Sequence, residues 1–125
     1  MTETNLSGLK RNKLEKFYTK PDIVKICMDL VQNNLNIDLD NDLIIEPSAG
    51  KGAFLEEIKK QCKNYRFYDL YPELEEIIAQ DYLQLIYNDF NFKKIHIIGN
   101  PPFGRQSSLA MKFIKYSANF CNTIS

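Results

Sequence analysis

Apolar residues along this 125-residue chain fall into short unbroken runs and into stretches of helical spacing, and the two patterns alternate. Leu43-Ile44-Ile45 is a continuous apolar run between Asp/Asn on one side and Pro/Gly on the other, which suits a buried parallel strand. Tyr65-Arg66-Phe67-Tyr68 alternates, is rich in aromatics and predicts a second strand ending at Asp69. Ile77-Ile78-Ala79 predicts a third short strand ending near Asp81, and Ile95-His96-Ile97-Ile98 a fourth.

Helical spacing fills most of the gaps. Thr19-Lys20-Pro21-Asp22 marks a helix start, with proline in the first turn and an acid beside it. Ile23, Val24, Cys27, Leu30 and Val31 would form its apolar face, and the pattern fades at Asn33-Asn34. Residues 53–63 predict a second helix with Phe54, Leu55 and Ile58 on one side, and residues 107–119 a third carrying Leu109, Phe113, Ile114 and Tyr116. Pro72-Glu73-Leu74-Glu75 leaves room for a single helical turn, so no full crossover helix is expected there. Strand and helix alternate, which defines an α/β fold with an open parallel sheet of four strands and flanking helices. Residues 122–125 resemble entry into a fifth strand, and a sheet stopping at four would leave an apolar edge uncovered. The expectation is therefore the N-terminal piece of a longer domain, residues 17–125, preceded by a polar, aperiodic and mobile arm over residues 1–16.

Composition narrows this little. A formal net charge of +0 offers no basic excess to announce a nucleic-acid partner. Cys27, Cys62 and Cys121 form no CxxC pair and His96 sits inside an apolar strand, so no metal site is expected. Cys27 reads as a small buried helix residue. An odd cysteine count without a signal peptide favours the cytoplasm or another reducing compartment over secretion. No apolar run reaches the roughly 18 residues of a membrane span.

Glu46-Pro47-Ser48-Ala49-Gly50-Lys51-Gly52 joins the first strand to the next helix, where small residues let a backbone approach a ligand and adopt positive φ. The third glycine of a dinucleotide fingerprint is replaced by Phe54 or Leu55, and no Gly-Lys-Ser/Thr forms a P-loop. The turn resembles the first motif of S-adenosylmethionine methyltransferases, whose strand-end acid, here Glu46, faces the cationic amino-acid part of the cofactor. Amides near residues 50–53 would receive its carboxylate. Asp69, with Leu70 beside it, ends the second strand at about the roughly 20-residue interval that places an acid on ribose hydroxyls. The plain alternative for Asp69 is capping of the turn at Pro72. Asp81-Tyr82 resembles the family motif in which Asp accepts the adenine amino hydrogens and an aromatic covers the ring.

Asn100-Pro101-Pro102-Phe103, directly after the fourth strand, combines a side-chain amide, a carbonyl fixed by rigid rings and an aromatic plate. An adenine amine is a poor nucleophile because its lone pair is delocalised. Acceptors at Asn100 Oδ1 and the Pro101 carbonyl would favour a pyramidal nitrogen, and Phe103 would stack on the base. A base inside a duplex is out of reach and must be flipped out or single-stranded. The plain alternative is a rigid surface turn.

In this order, the motifs resemble those of the N6-adenine DNA methyltransferases whose cofactor motif precedes the catalytic one. Lys16-Phe17-Tyr18-Thr19-Lys20-Pro21 is similar to their N-terminal motif, with Lys20 inserted before Pro21. The resemblance implies a Rossmann-like methyltransferase sheet and S-adenosylmethionine as cofactor. It implies cofactor contacts at Phe17, Thr19, Pro21, Glu46, Pro47, Ser48, Ala49, Gly50, Gly52, Asp69, Leu70, Asp81, Tyr82 and Asn100, and catalysis by Asn100, Pro101, Pro102 and Phe103. DNA is the implied partner, with target recognition supplied by a missing C-terminal half or a partner subunit. RNA adenine or protein-glutamine methylation, and a catalytically incomplete cofactor-binding module, remain the alternatives.

Overall fold

The computed structural model describes residues 20–88, 90–100 and 108–125. Helix α1 spans Pro21–Asn34, with proline in its first turn and Asp22 beside it, and the chain turns extended at Leu35. Strand β1 is Leu43–Glu46, helix α2 Leu55–Gln61 and strand β2 Tyr65–Asp69. Strand β3 is Ile78–Ala79, followed by a 3-10 turn at Tyr82–Gln84. Strand β4 is Ile95–Ile97, helix α3 Ser108–Ser117 and strand β5 Thr123–Ile124. The link from β2 to β3 holds no helix, only a turn closed by the Ile77 amide on the Leu74 carbonyl at 3.1 Å.

The sheet order is β3-β2-β1-β4-β5. Every neighbouring pair is parallel, with Ile44 opposite both Tyr65 and His96, Tyr68 opposite Ile78, and Ile97 opposite Ile124. This is an open, Rossmann-like α/β sheet of five strands: the four expected, and a fifth where residues 122–125 resemble strand entry in the sequence. The fifth is only two residues long. It forms because Asn122 brackets Ile95, its amide donating to the Ile95 carbonyl at 2.7 Å and its Oδ1 accepting from the Ile95 amide at 2.8 Å.

Alternation of side chains along the central strands supplies two cores. Ile44, Phe67 and Ile98 face α1 and α2, meeting Val24, Met28, Val31, Leu55 and Ile58. Leu43, Ile45, Ile95 and Ile97 face the other layer, where Tyr82 and Leu85 pack with Phe113, Tyr116 and Phe120. Strand β1 is buried along its whole length because helices or turns cover both of its faces.

Two expectations shift. The stripe of α1 that meets the sheet is Val24-Met28-Val31, whereas Ile23 and Leu30 are 44% and 58% exposed. Two apolar stripes lie side by side on this helix, and spacing alone does not say which one the sheet covers. Cys27, expected to be buried, lies on the flanking stripe and is half-buried. His96 is buried as the middle member of a hydrogen-bonded trio, with Nε2 at 2.8 Å from Asp42 Oδ2 and Nδ1 at 2.8 Å from Thr123 Oγ1. The trio ties the start of β1 to β4 and β5 within the core. Among the described residues, no helix is long and apolar enough to cross a membrane.

Candidate functional site

Strand order reverses between β1 and β4, and ligands of open α/β sheets bind at the carboxyl ends of strands beside such a point. Glu46 is the last residue of β1, Asp69 the last of β2, and Gly99-Asn100 follows β4 closely. Topology thus gathers three of the motifs read from the sequence.

The turn after β1 is held from both ends. The Ala49 amide donates to the Tyr68 carbonyl at 2.8 Å, and the Gly50 amide to Asp69 Oδ2 at 2.8 Å. Asp69 Oδ1 accepts from the Tyr71 amide at 2.9 Å. Asp69 therefore does cap the turn ahead of Pro72, and it clamps the glycine turn as well. Each of its oxygens keeps a further acceptor position for a ligand. Leu70, the next residue, is exposed.

The two glycines serve different ends. Gly50 has φ of 59° and open space where a Cβ would stand. Gly52 has φ of 82°, but a Cβ there would lie 2.7 Å from Leu74 Cδ1 and 3.2 Å from Leu55 Cδ1. At Gly50 the missing side chain leaves room for a ligand, and at Gly52 it makes room for the protein's own leucines. Gly52→Ala is expected to lose about 1 to 3 kcal/mol of stability, because its methyl would meet Leu74 and Leu55 in addition to the strain of a positive φ. Gly50→Ala carries the backbone strain alone and should lose less. Urea unfolding of both variants checks the difference, and equal losses would refute it.

Glu46 is 2% exposed, and its Oε1 has no hydrogen-bond partner among the described residues. Burial, reinforced by the charge of Asp69, holds its carboxyl well above the usual carboxylate range. Gly99 makes this placement possible, because a Cβ on it would stand 3.1 Å from Glu46 Cγ and 3.6 Å from Oε2. Pro47 is buried against the same glycine, Ala49 is buried and Ser48 half-buried.

The third acid behaves differently from its aromatic neighbour. Asp81 Oδ1 accepts from the Leu83 amide at 3.0 Å and starts the 3-10 turn, remaining partly exposed. Tyr82, expected to cover an adenine ring, is 1% exposed. Its ring centroid is 5.2 Å from that of Phe113 and 5.7 Å from that of Tyr116, and its hydroxyl is 2.5 Å from Ser117 Oγ. The ring is a core element with no face left for a ligand, and burial pushes its phenol pKa up. An Asp-aromatic pair reads the same whether the ring points into the site or into the core.

Asn100 is exposed and borders a cavity of about 460 Å³ between α1 and the end of β4. Ile23, Cys27, Leu30, Phe54 and Ile98 form its apolar wall. Sequence reasoning assigned the first three to the core. Their signal was the second apolar stripe of α1. Pro21 opens that helix. Phe17, Thr19, Pro101, Pro102 and Phe103 lie outside the described residues.

The fold and these strand-end acids define a Rossmann-like protein with a ligand crevice at its sheet reversal. No protein-family profile matches the chain. The chain is similar to the Ribosomal RNA small subunit methyltransferase A of Malacoplasma penetrans (strain HF-2), at 30% identity over 95% of the chain and 48% of that protein. It is similar also to the Probable ribosomal RNA small subunit methyltransferase A of Methanococcus aeolicus, at 31% identity over 66% of the chain and 34% of that protein. A third similarity, 28% identity over 92% of the chain, is to 9% of Protein ENHANCED DOWNY MILDEW 2 of Arabidopsis thaliana. The chain spans about half the length, or less, of the curated relatives it matches.

Proposed function

We propose that this chain belongs to an S-adenosylmethionine-dependent N-methyltransferase that acts on adenine in nucleic acid. The observation that carries the reading is Glu46, a buried carboxylate with an unpartnered oxygen at the sheet reversal, packed against Gly99 at the start of the Asn-Pro-Pro-Phe segment. A buried polar oxygen without a partner is costly unless a ligand satisfies it. An ammonium group does so, and the cofactor's amino-acid end carries one.

The rest of the site fits the same ligand. The open backbone at Gly50 gives it room, Asp69 has acceptor capacity for ribose hydroxyls, and Asp81 has the same for an adenine amine. When bound, S-adenosylmethionine supplies an electrophilic methyl group. The chain's own part is to orient and polarise the target. Asn100 Oδ1 and the Pro101 carbonyl accept the hydrogens of the adenine amine, free its lone pair for attack, and Phe103 holds the base by stacking.

Two similar proteins are named for methylation of small-subunit ribosomal RNA, and this favours RNA as the target. The order of motifs favours DNA, and Phe103 in the fourth position of the tetrapeptide favours nucleic acid over a protein glutamine. Transfer of labelled methyl into RNA, DNA and protein pools separates these targets. Incorporation into nucleic-acid adenine is expected, and incorporation only into glutamine amides would overturn the reading. For the cofactor, Glu46→Ala and Asp69→Ala should each weaken binding by about 1 to 3 kcal/mol. Asp69→Ala should also lower the unfolding midpoint, because it releases the Gly50 and Tyr71 amides. Calorimetric titration giving wild-type affinity in both variants would remove the acids from the cofactor site.

A further inference from the structure

We propose that the site takes up its cationic ligand in exchange for a proton: the empty site holds Glu46 as a neutral carboxylic acid, and the ligand's ammonium replaces that proton. This inference rests on the cofactor reading above and specifies how the same site works.

Its basis is geometric. Glu46 ends the fully buried strand β1, and its Oε1 has neither solvent contact nor a hydrogen-bond partner among the described residues. Gly99, just after β4, leaves room for it, since a Cβ there would stand 3.1 Å from Glu46 Cγ and 3.6 Å from Oε2. From β2 Glu46 faces another carboxylate, Asp69, which is held by the Gly50 and Tyr71 amides. Helices α1 and α2 bring Val24, Met28, Val31, Leu55 and Ile58 to this face of the sheet, and the titratable residue on the cavity side of α1 is Cys27. Lys51 in the glycine turn is exposed. An isolated carboxylate in such surroundings neutralises by taking up a proton, and the upward displacement of Glu46 has the same origin.

An ammonium beside Glu46 reverses that balance. The O–H bond of the acid breaks, the proton leaves to buffer, and the carboxylate stays as counter-ion to the ligand. Between the ordinary carboxylate range and the raised value, the empty site is protonated and the filled site is ionised. Affinity should therefore rise with pH, by up to about tenfold per unit, and level off above the raised value. The stability of the empty protein follows the opposite course. A raised acid contributes stability that is fully present below the unfolded-state value and is lost as pH rises through the folded value. Above that window Glu46→Gln should melt higher than the wild type when no ligand is present.

Two measurements on the full chain test the exchange. Carboxyl carbon resonances, assigned by comparison with Glu46→Gln, follow the ionisation of Glu46 in the empty protein. Titration above the ordinary carboxylate range is expected, and titration within that range overturns the proposal whether or not S-adenosylmethionine binds. Calorimetric binding of S-adenosylmethionine in buffers of different ionisation heat counts protons. Close to one released per ligand is expected for the wild type, and none for Glu46→Gln or for an analogue lacking the α-amino group. Wild-type binding without proton release overturns the exchange and leaves the cofactor reading standing. Absence of any binding overturns both.

Discussion

Asn100→Ala should lose about 10²- to 10³-fold in methyl transfer while its cofactor affinity stays within a few-fold of wild type. The amide oxygen of Asn100 is proposed to accept from the target amine, and its hydrogen bond strengthens as positive charge develops on that nitrogen. An interaction made mainly in the transition state lowers kcat and kcat/KM together. Asn100 is exposed at the mouth of the cavity and carries none of the core, so its truncation should leave the fold intact. Single-turnover transfer and calorimetric binding, measured on the same preparation, separate the two quantities. A near wild-type rate would reduce Asn-Pro-Pro-Phe to a rigid turn and the protein to a cofactor-binding module.

Tyr82→Ala should destabilise the fold by roughly 3 to 5 kcal/mol, the range for removing a large buried aromatic. Tyr82 is 1% exposed and stands between the sheet and α3, where it meets Phe113, Tyr116 and Phe120. Domains of this size have total stabilities of about 5 to 15 kcal/mol, so this one ring decides whether the chain folds under mild stress. Tyr82→Phe keeps the ring and loses only the hydroxyl contact to Ser117, and about 1 kcal/mol is expected. Urea unfolding monitored by circular dichroism tests both. Unchanged stability in Tyr82→Ala with weakened cofactor binding would return the ring to the cofactor site.

The frame of the fold was legible because it is written in local patterns. Proline near the start of α1, the apolar run of β1 and the aromatic alternation of β2 each declare an element within a few residues. The absence of a crossover helix before β3 followed from simple length. The glycine turn after β1 and the acids ending β1 and β2 were legible as well, because positive φ favours glycine and each strand end is marked by a change of residue type.

Contacts between distant parts of the chain were decided elsewhere. Sequence alone determined that this is a parallel α/β protein and which strand ends carry acids, because side-chain period and turn chemistry act within one or two turns of chain. Only the tertiary structure decided that Val24, Met28 and Val31, rather than Ile23 and Leu30, meet the sheet, and that Tyr82 points into the core. It also decided that Asn122 pins a fifth strand, that Asp69 clamps the glycine turn, and that Glu46 faces another carboxylate with one oxygen unpartnered. Burial and hydrogen-bond partnership depend on which atoms from other elements fill the remaining space. A residue's neighbours in sequence carry no record of those atoms.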